Sequence, residues 1–220
     1  MMEPQINRDK SRLLADTKFI KLYDLEYQDG THYYDASRRG PEELFAYKPA
    51  AELTTAPPDA ASAFVIIELP NEAPKLLLFY EFRYPTGSYM LGVPAGLIDP
   101  ADFQGPDPVK RAMIREIKEE TGITVTSKDT VEVISPCVFT TPGFSDESNA
   151  LVKAIIHLDD LSSLNHKGAE GTEVFGDFRL VDRKAAMDLL KAGRDETGHY
   201  LPLITWAALT YFVSGLWQEI

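Results

Sequence analysis

Arg115-Glu116-Ile117-Lys118-Glu119-Glu120-Thr121-Gly122-Ile123 is the most informative run in this chain. At about 100° per residue, Glu116, Glu119 and Glu120 fall within roughly a 100° arc of one helix face. Like charges spaced i,i+3 and i,i+4 repel, and Glu119 and Glu120 also occupy the last turn, where the helix dipole disfavours anions. Arg111, Arg115 and Lys118 are interleaved with them, as on an ordinary solvated face. Clustered carboxylate oxygens are also what a hard divalent cation requires, and Mg²⁺ in particular is held by one or two carboxylates, waters and substrate phosphate oxygens. A bound cation would remove the repulsion that local energetics impose.

The helix has marked ends. Asp107 is placed to act as N-cap, Pro108 fits the first turn and Gly122 fits the position just past the end, which predicts a helix over 108–121. Upstream, AFVIIEL (63–69) and KLLLFYEF (75–82) are short, apolar and rich in β-formers, and a third strand over 89–93 runs into Pro94-Ala95-Gly96. Downstream, strands are expected at 131–134, 150–158 and about 174–181, with a polar loop over 159–172. Asp182 caps a helix to Ala192, and Pro202 opens the last one. Before all of these, FIKLYDLEY and THYYDA flank Gln28-Asp29-Gly30, a hairpin signature. The Pro- and Ala-rich stretch that follows divides the chain into an N-terminal β subdomain (1–48), a linker (49–62) and a main domain (63–220). The order strands, helix, strands, helix, helix implies an α+β sandwich with helices packed on a mixed sheet.

Lys and Arg total 22 against 34 for Asp and Glu, a net charge of −12. Such a surface repels nucleic-acid backbones and anionic membranes, whereas a small polyphosphate stays admissible because a bound cation inverts the local field. Cys137 is the only cysteine, so no intramolecular disulfide forms. The polar N-terminus lacks the apolar core of a signal peptide, and the apolar C-terminal run is broken by Thr205, Thr210, Ser214 and Gly215, so a cytoplasmic location is expected.

The run from Arg115 to Ile123 matches R-E-(apolar)-x-E-E-x-G-(apolar) at seven defined positions, and thereby resembles the second half of the Nudix box. In that family the box opens with Gly, five residues, Glu, seven residues and then Arg. Gly96 is read as the box glycine and Asp107, eight positions before Arg115, as the residue standing where the family has Glu. About five extra residues then lie around 100–106. Asp107 either orients the box arginine, as the family's Glu does, or serves only as the N-cap. Flanking segments, Glu81-Phe82-Arg83-Tyr84-Pro85, Pro94-Ala95-Gly96-Leu97-Ile98-Asp99 and Thr141-Pro142-Gly143-Phe144-Ser145-Asp146-Glu147, are similar to the ADP-ribose and ADP-sugar pyrophosphatase branch.

The resemblance implies a Nudix-like α/β/α sandwich with a small N-terminal β-hairpin subdomain. It implies Mg²⁺, with Mn²⁺ as a possible substitute, held by Glu116, Glu119, Glu120 and the carbonyl of Ala95. Glu119 and Arg115 belong to the catalytic centre, and a loop glutamate acts as general base or added ligand, with Glu173 the first choice and Glu170 the second. Arg83 would contact the diphosphate; Phe19 and Tyr34 would sandwich adenine with Arg39 nearby; Glu147 would bind substrate or support the box. Related enzymes form homodimers in which the N-terminal hairpin of one subunit completes the site of the other. The implied reaction is hydrolysis of ADP-ribose to AMP and ribose 5-phosphate. GDP-mannose or a dinucleotide as substrate, a non-catalytic ADP-ribose-binding module and a plain structural domain are the alternatives.

Overall fold

The computed structural model describes residues 4–219. Its fourteen regular elements are β1 (Arg12–Asp16), β2 (Lys21–Glu26), β3 (His32–Ser37), α1 (Ala50–Leu53), β4 (Ala60–Glu68), β5 (Lys75–Arg83), β6 (Ser88–Gly92), β7 (Ala95–Leu97), α2 (Pro108–Thr121), β8 (Thr130–Phe139), β9 (Ser148–His157), β10 (Phe175–Val181), α3 (Arg183–Ala192) and α4 (Leu203–Ser214). They fall into two compact units, one made of 1–59 with 137–149, the other of 60–136 with 150–220.

In the first unit β1, β2 and β3 form an antiparallel sheet. Gly30, at φ 82, makes the expected turn between the last two strands. Strand β1 was not anticipated, because its side chains are all exposed and carry no inward alternation. Tyr23, Leu25 and Leu44 form a small core. The segment 137–149 joins this unit: Phe144 accepts from the Ala36 amide, Ser145 donates to the Ala36 carbonyl, and Tyr33 donates to the Gly143 carbonyl.

The second unit is built on a sheet of order β10-β5-β4-β9-β8, with β6 against β5 and β7 against β4. Strands β10, β5 and β4 pair antiparallel. Strands β4 and β9 run parallel, since Asp59 meets Ser148 at one end and Glu68 meets Leu158 at the other. The sheet is therefore mixed. Its faces follow the period of two along β4. Phe64 and Ile66 pack with Leu189 of α3 and Leu209 and Phe212 of α4. Ala63, Val65 and Ile67 pack with Met113 and Ile117 of α2. Helix α2 thus covers one face and α3 with α4 the other, the sandwich expected. Among the described residues no helix is long and apolar enough to cross a membrane.

Candidate functional site

Helix α2 spans the residues expected of it. Gly122 ends it at φ 76, with its amide on the Lys118 carbonyl. Because Met113 and Ile117 point into the core, Glu116 and Glu120, one position before and three after Ile117, turn toward β7. Both are buried, at 7% and 3% exposure. Strand β7 is drawn in by pairing with β4, Gly96 opposite Ala61 and Ala95 opposite Ser62. The Ala95 amide donates to Glu120 Oε2 at 3.0 Å. A Cβ on Gly96 would lie 1.9 Å from Glu116 Oε1 and would displace that carboxylate.

Arg115 gathers the remaining charges. Its guanidinium reaches Glu116 Oε1 at 2.7 Å, Glu119 Oε2 at 3.1 Å, the Leu97 carbonyl at 3.1 Å and Asp102 Oδ2 at 3.2 Å. Burial pulls its pKa down, but Glu116 and Asp102 outweigh burial and hold it above the ordinary arginine value.

Here the structure corrects the sequence reading. Asp107 makes no side-chain cap and sits in the left-handed region at φ 53. The carboxylate that orients Arg115 is Asp102, itself 6% exposed and accepting from the Asp99 amide. Five residues separate Gly96 from Asp102 and twelve separate Asp102 from Arg115, so the extra residues follow the acidic position rather than precede it. Counting forward from Gly96 would have found it.

Other acids close on this face. Burial raises the pKa of Glu120 well above its ordinary value, and Glu116, Glu81 and Glu173 raise it further against the Ala95 amide. Burial likewise raises Glu116, with Arg115 opposing and Glu119 and Glu173 adding to it. Glu81 is also raised by burial, opposed by Arg83 at 2.7 Å and assisted by Glu173. Glu173 thus acts electrostatically on three of these carboxylates. Sequence reading gave Glu81 no role, although the alternation through Leu77 and Phe79 puts it on the face α2 covers.

The donor set is all-oxygen and carries excess negative charge, which suits a hard divalent cation. Among the described residues, however, no three acidic, His or Cys side chains stand close enough together to hold one. Arg115 bonds both Glu116 and Glu119, and an entering ion must take those oxygens from it.

The residues expected to hold a nucleoside lie in the first unit. Phe19 is 61% exposed with Lys18 Nζ 4.8 Å over its ring. Tyr34 lines a cavity of about 590 Å³ with Tyr33, Asp35, Phe139 and Phe144, and Phe19 is not among its walls. Arg39 is buried and committed to Asp59 at 2.7 Å and Asp146 at 3.2 Å, stacked 3.7 Å over Phe45. Glu147 takes the Arg38 Nε at 2.6 Å.

Comparison with known proteins places these features in a family. The family model for the NUDIX domain matches residues 58–204. The chain is similar to the mouse "ADP-sugar pyrophosphatase", 33% identical over 60% of this chain and 55% of that one. It is also similar to the "ADP-ribose pyrophosphatase" of Saccharomyces cerevisiae, 30% identical over 63% and 53%. A "Putative nudix hydrolase 2" of Caenorhabditis elegans is 40% identical over 51% and 47%. The chain thus spans about half the length of these curated relatives. A solved structure titled "Crystal structure of ADP compounds hydrolase" superposes with a TM-score of 0.56 over 98% of this chain and 97% of its own, at 20% identity, a likeness of fold. With the family match covering most of its length and the box helix docked on the glycine strand, this chain belongs to the Nudix family.

Proposed function

We propose that this protein hydrolyses the diphosphate bridge of ADP-ribose or a closely related nucleoside-diphosphate sugar, releasing AMP and a sugar phosphate. The observation that carries the reading is the face of α2, where Glu116 and Glu120 are buried against Ala95 and Gly96 and Arg115 reaches Glu116 and Glu119. Burying that many carboxylates is costly unless a cation binds there. The names of the two pyrophosphatase relatives support the substrate class.

Glu116, Glu119, Glu120 and the Ala95 carbonyl would hold Mg²⁺, or Mn²⁺ in its place. A divalent ion at such a site neutralises phosphoryl charge and lowers the pKa of water. The chain's own groups do the rest. Arg115, anchored by Asp102, fixes the orientation of Glu116 and Glu119. Glu173, among the acids that raise the pKa of Glu116 and Glu120, would accept the proton of the attacking water. Arg83 is half-exposed and held by Glu81, which leaves guanidinium hydrogens for a phosphate oxygen. Tyr34 offers an aromatic surface for the base, while Arg39, tied up by Asp59 and Asp146, supports that region from within. Leu13, Leu14, Leu22, Tyr33 and Tyr34 are exposed on the three-stranded sheet, and Phe19 and Ile20 between β1 and β2; this apolar surface favours pairing into a homodimer.

Substrate choice is tested by phosphorus NMR of the protein with Mg²⁺ and ADP-ribose, ADP-glucose, GDP-mannose or NADH. AMP and ribose 5-phosphate forming fastest from ADP-ribose is the expected result. Faster cleavage of GDP-mannose would move the specificity, and ligand binding without any cleavage would replace the enzyme by a binding module.

A further inference from the structure

The last turn of α2 leaves carbonyls that no helical amide can satisfy. Gly122 takes the Lys118 carbonyl, and the loop between β9 and β10 takes those of Glu120 and Thr121. The Asn165 amide donates to the Thr121 carbonyl at 3.0 Å, and His166 Nδ1 bonds the Glu120 carbonyl. A carbonyl can only accept, so Nδ1 carries the hydrogen. The imidazole lies face to face with Phe178 at 4.0 Å and with Phe175 at 4.8 Å, and meets the edge of Phe79 at 5.4 Å. Its Nε2 is buried and has no hydrogen-bond partner among the described residues. Two residues on, the chain passes so close to the box helix that a Cβ on Gly168 would lie 2.5 Å from the Glu119 carbonyl oxygen. Glu173 follows in the same loop, its carboxylate bound to the Glu170 amide at 2.9 Å.

We propose that His166 is a positioning residue: its Nδ1–H clamps the loop that carries Glu173 onto the last turn of the carboxylate helix. The proposal rests on the hydrolase reading of that helix face. Rings on either side set the imidazole plane, and the hydrogen bond sets its depth, so the loop's root cannot slide along α2. The Gly168 approach fixes the next point, and the acid reaches the site from a short tether. A freely moving loop would deliver the same glutamate only part of the time, and a misplacement of about 1 Å costs on the order of 10²-fold in rate.

Three variants separate this role from packing. His166→Phe keeps the aromatic fill and loses the donor; His166→Asn keeps an N–H near the δ position; His166→Gln moves it outward by one bond. The expected results are a kcat lowered at least about tenfold in the Phe and Gln variants with KM nearly unchanged, and substantial recovery of kcat in the Asn variant. Amide hydrogen exchange over 163–173 in the metal-free protein is expected to speed up in the Phe and Gln variants and return toward the parent rate in the Asn variant. Equal kcat in all variants, or an Asn variant no better than Gln, overturns the proposal. The exchange measurement needs no turnover, so unchanged exchange in a protein that hydrolyses ADP-ribose sinks the clamp alone. Altered exchange in a protein without activity sinks the hydrolase reading instead.

Discussion

At the scale of single residues the site depends on close contacts that admit few substitutes. Gly96→Ala drives a methyl into the Glu116 carboxylate. It is expected to cost about 1–3 kcal/mol of stability by overpacking, read in a denaturant titration, together with most of the activity. Asp102→Asn weakens the anchor of Arg115; it should lower kcat and cost roughly 1–2 kcal/mol. Asp107→Asn should change neither by more than about 0.5 kcal/mol, and parallel assays of the two variants check the reassignment. Glu120→Gln keeps an acceptor for the Ala95 amide while removing a buried charge whose pKa is raised. A raised folded pKa means that ionisation disfavours folding above the ordinary glutamate range. With a chelator present at pH 8, the Gln variant should therefore melt above the parent while losing catalysis.

At the scale of elements, regularity decided what the sequence disclosed. Helix α2 was legible to the residue because Pro108 and Gly122 bracket it and its apolar positions recur at helical spacing. Asp182 was legible for a like reason, and its carboxylate accepts from the Ala185 amide. Strand β1 was hidden by full exposure. Asp102 was hidden because the inserted residues were placed on its wrong side. Asp107 looks like a cap by type, yet its backbone at φ 53 turns it away from that role. His166 belongs to no local motif, since its neighbours Phe79, Phe175, Phe178 and the end of α2 come from other elements of the chain. Side chains placed by tertiary pairing leave no spacing to read.

At the scale of the whole molecule, charge and exposed apolar surface carry the predictions. Asp35 has a pKa pushed up to about 6 by burial and by Asp146, and its Oδ2 lacks a hydrogen-bond partner among the described residues. Protons are then held more tightly folded than unfolded, so this group makes stability fall as pH rises from about 4 to about 6. Asp35→Asn should flatten that part of the profile and raise the melting temperature at pH 7, as calorimetry across pH will show. The apolar side chains on β1, β2 and β3 predict self-association. Leu14→Glu, at a position 48% exposed, should shift the light-scattering mass from two chains toward one. An unchanged mass would remove the argument for pairing through that sheet.

A metal-dependent hydrolytic centre on the carboxylate face of α2 would make turnover depend on Mg²⁺ and on Glu119. The direct measurement is AMP release from ADP-ribose against Mg²⁺ concentration, for the parent protein and for Glu119→Gln. Saturable Mg²⁺-dependent release in the parent, lowered by at least about 10²-fold in the variant, is the predicted result, since ligand loss removes several kcal/mol of transition-state stabilisation. Equal release by both proteins, or release in the parent that persists undiminished in chelator, would contradict it.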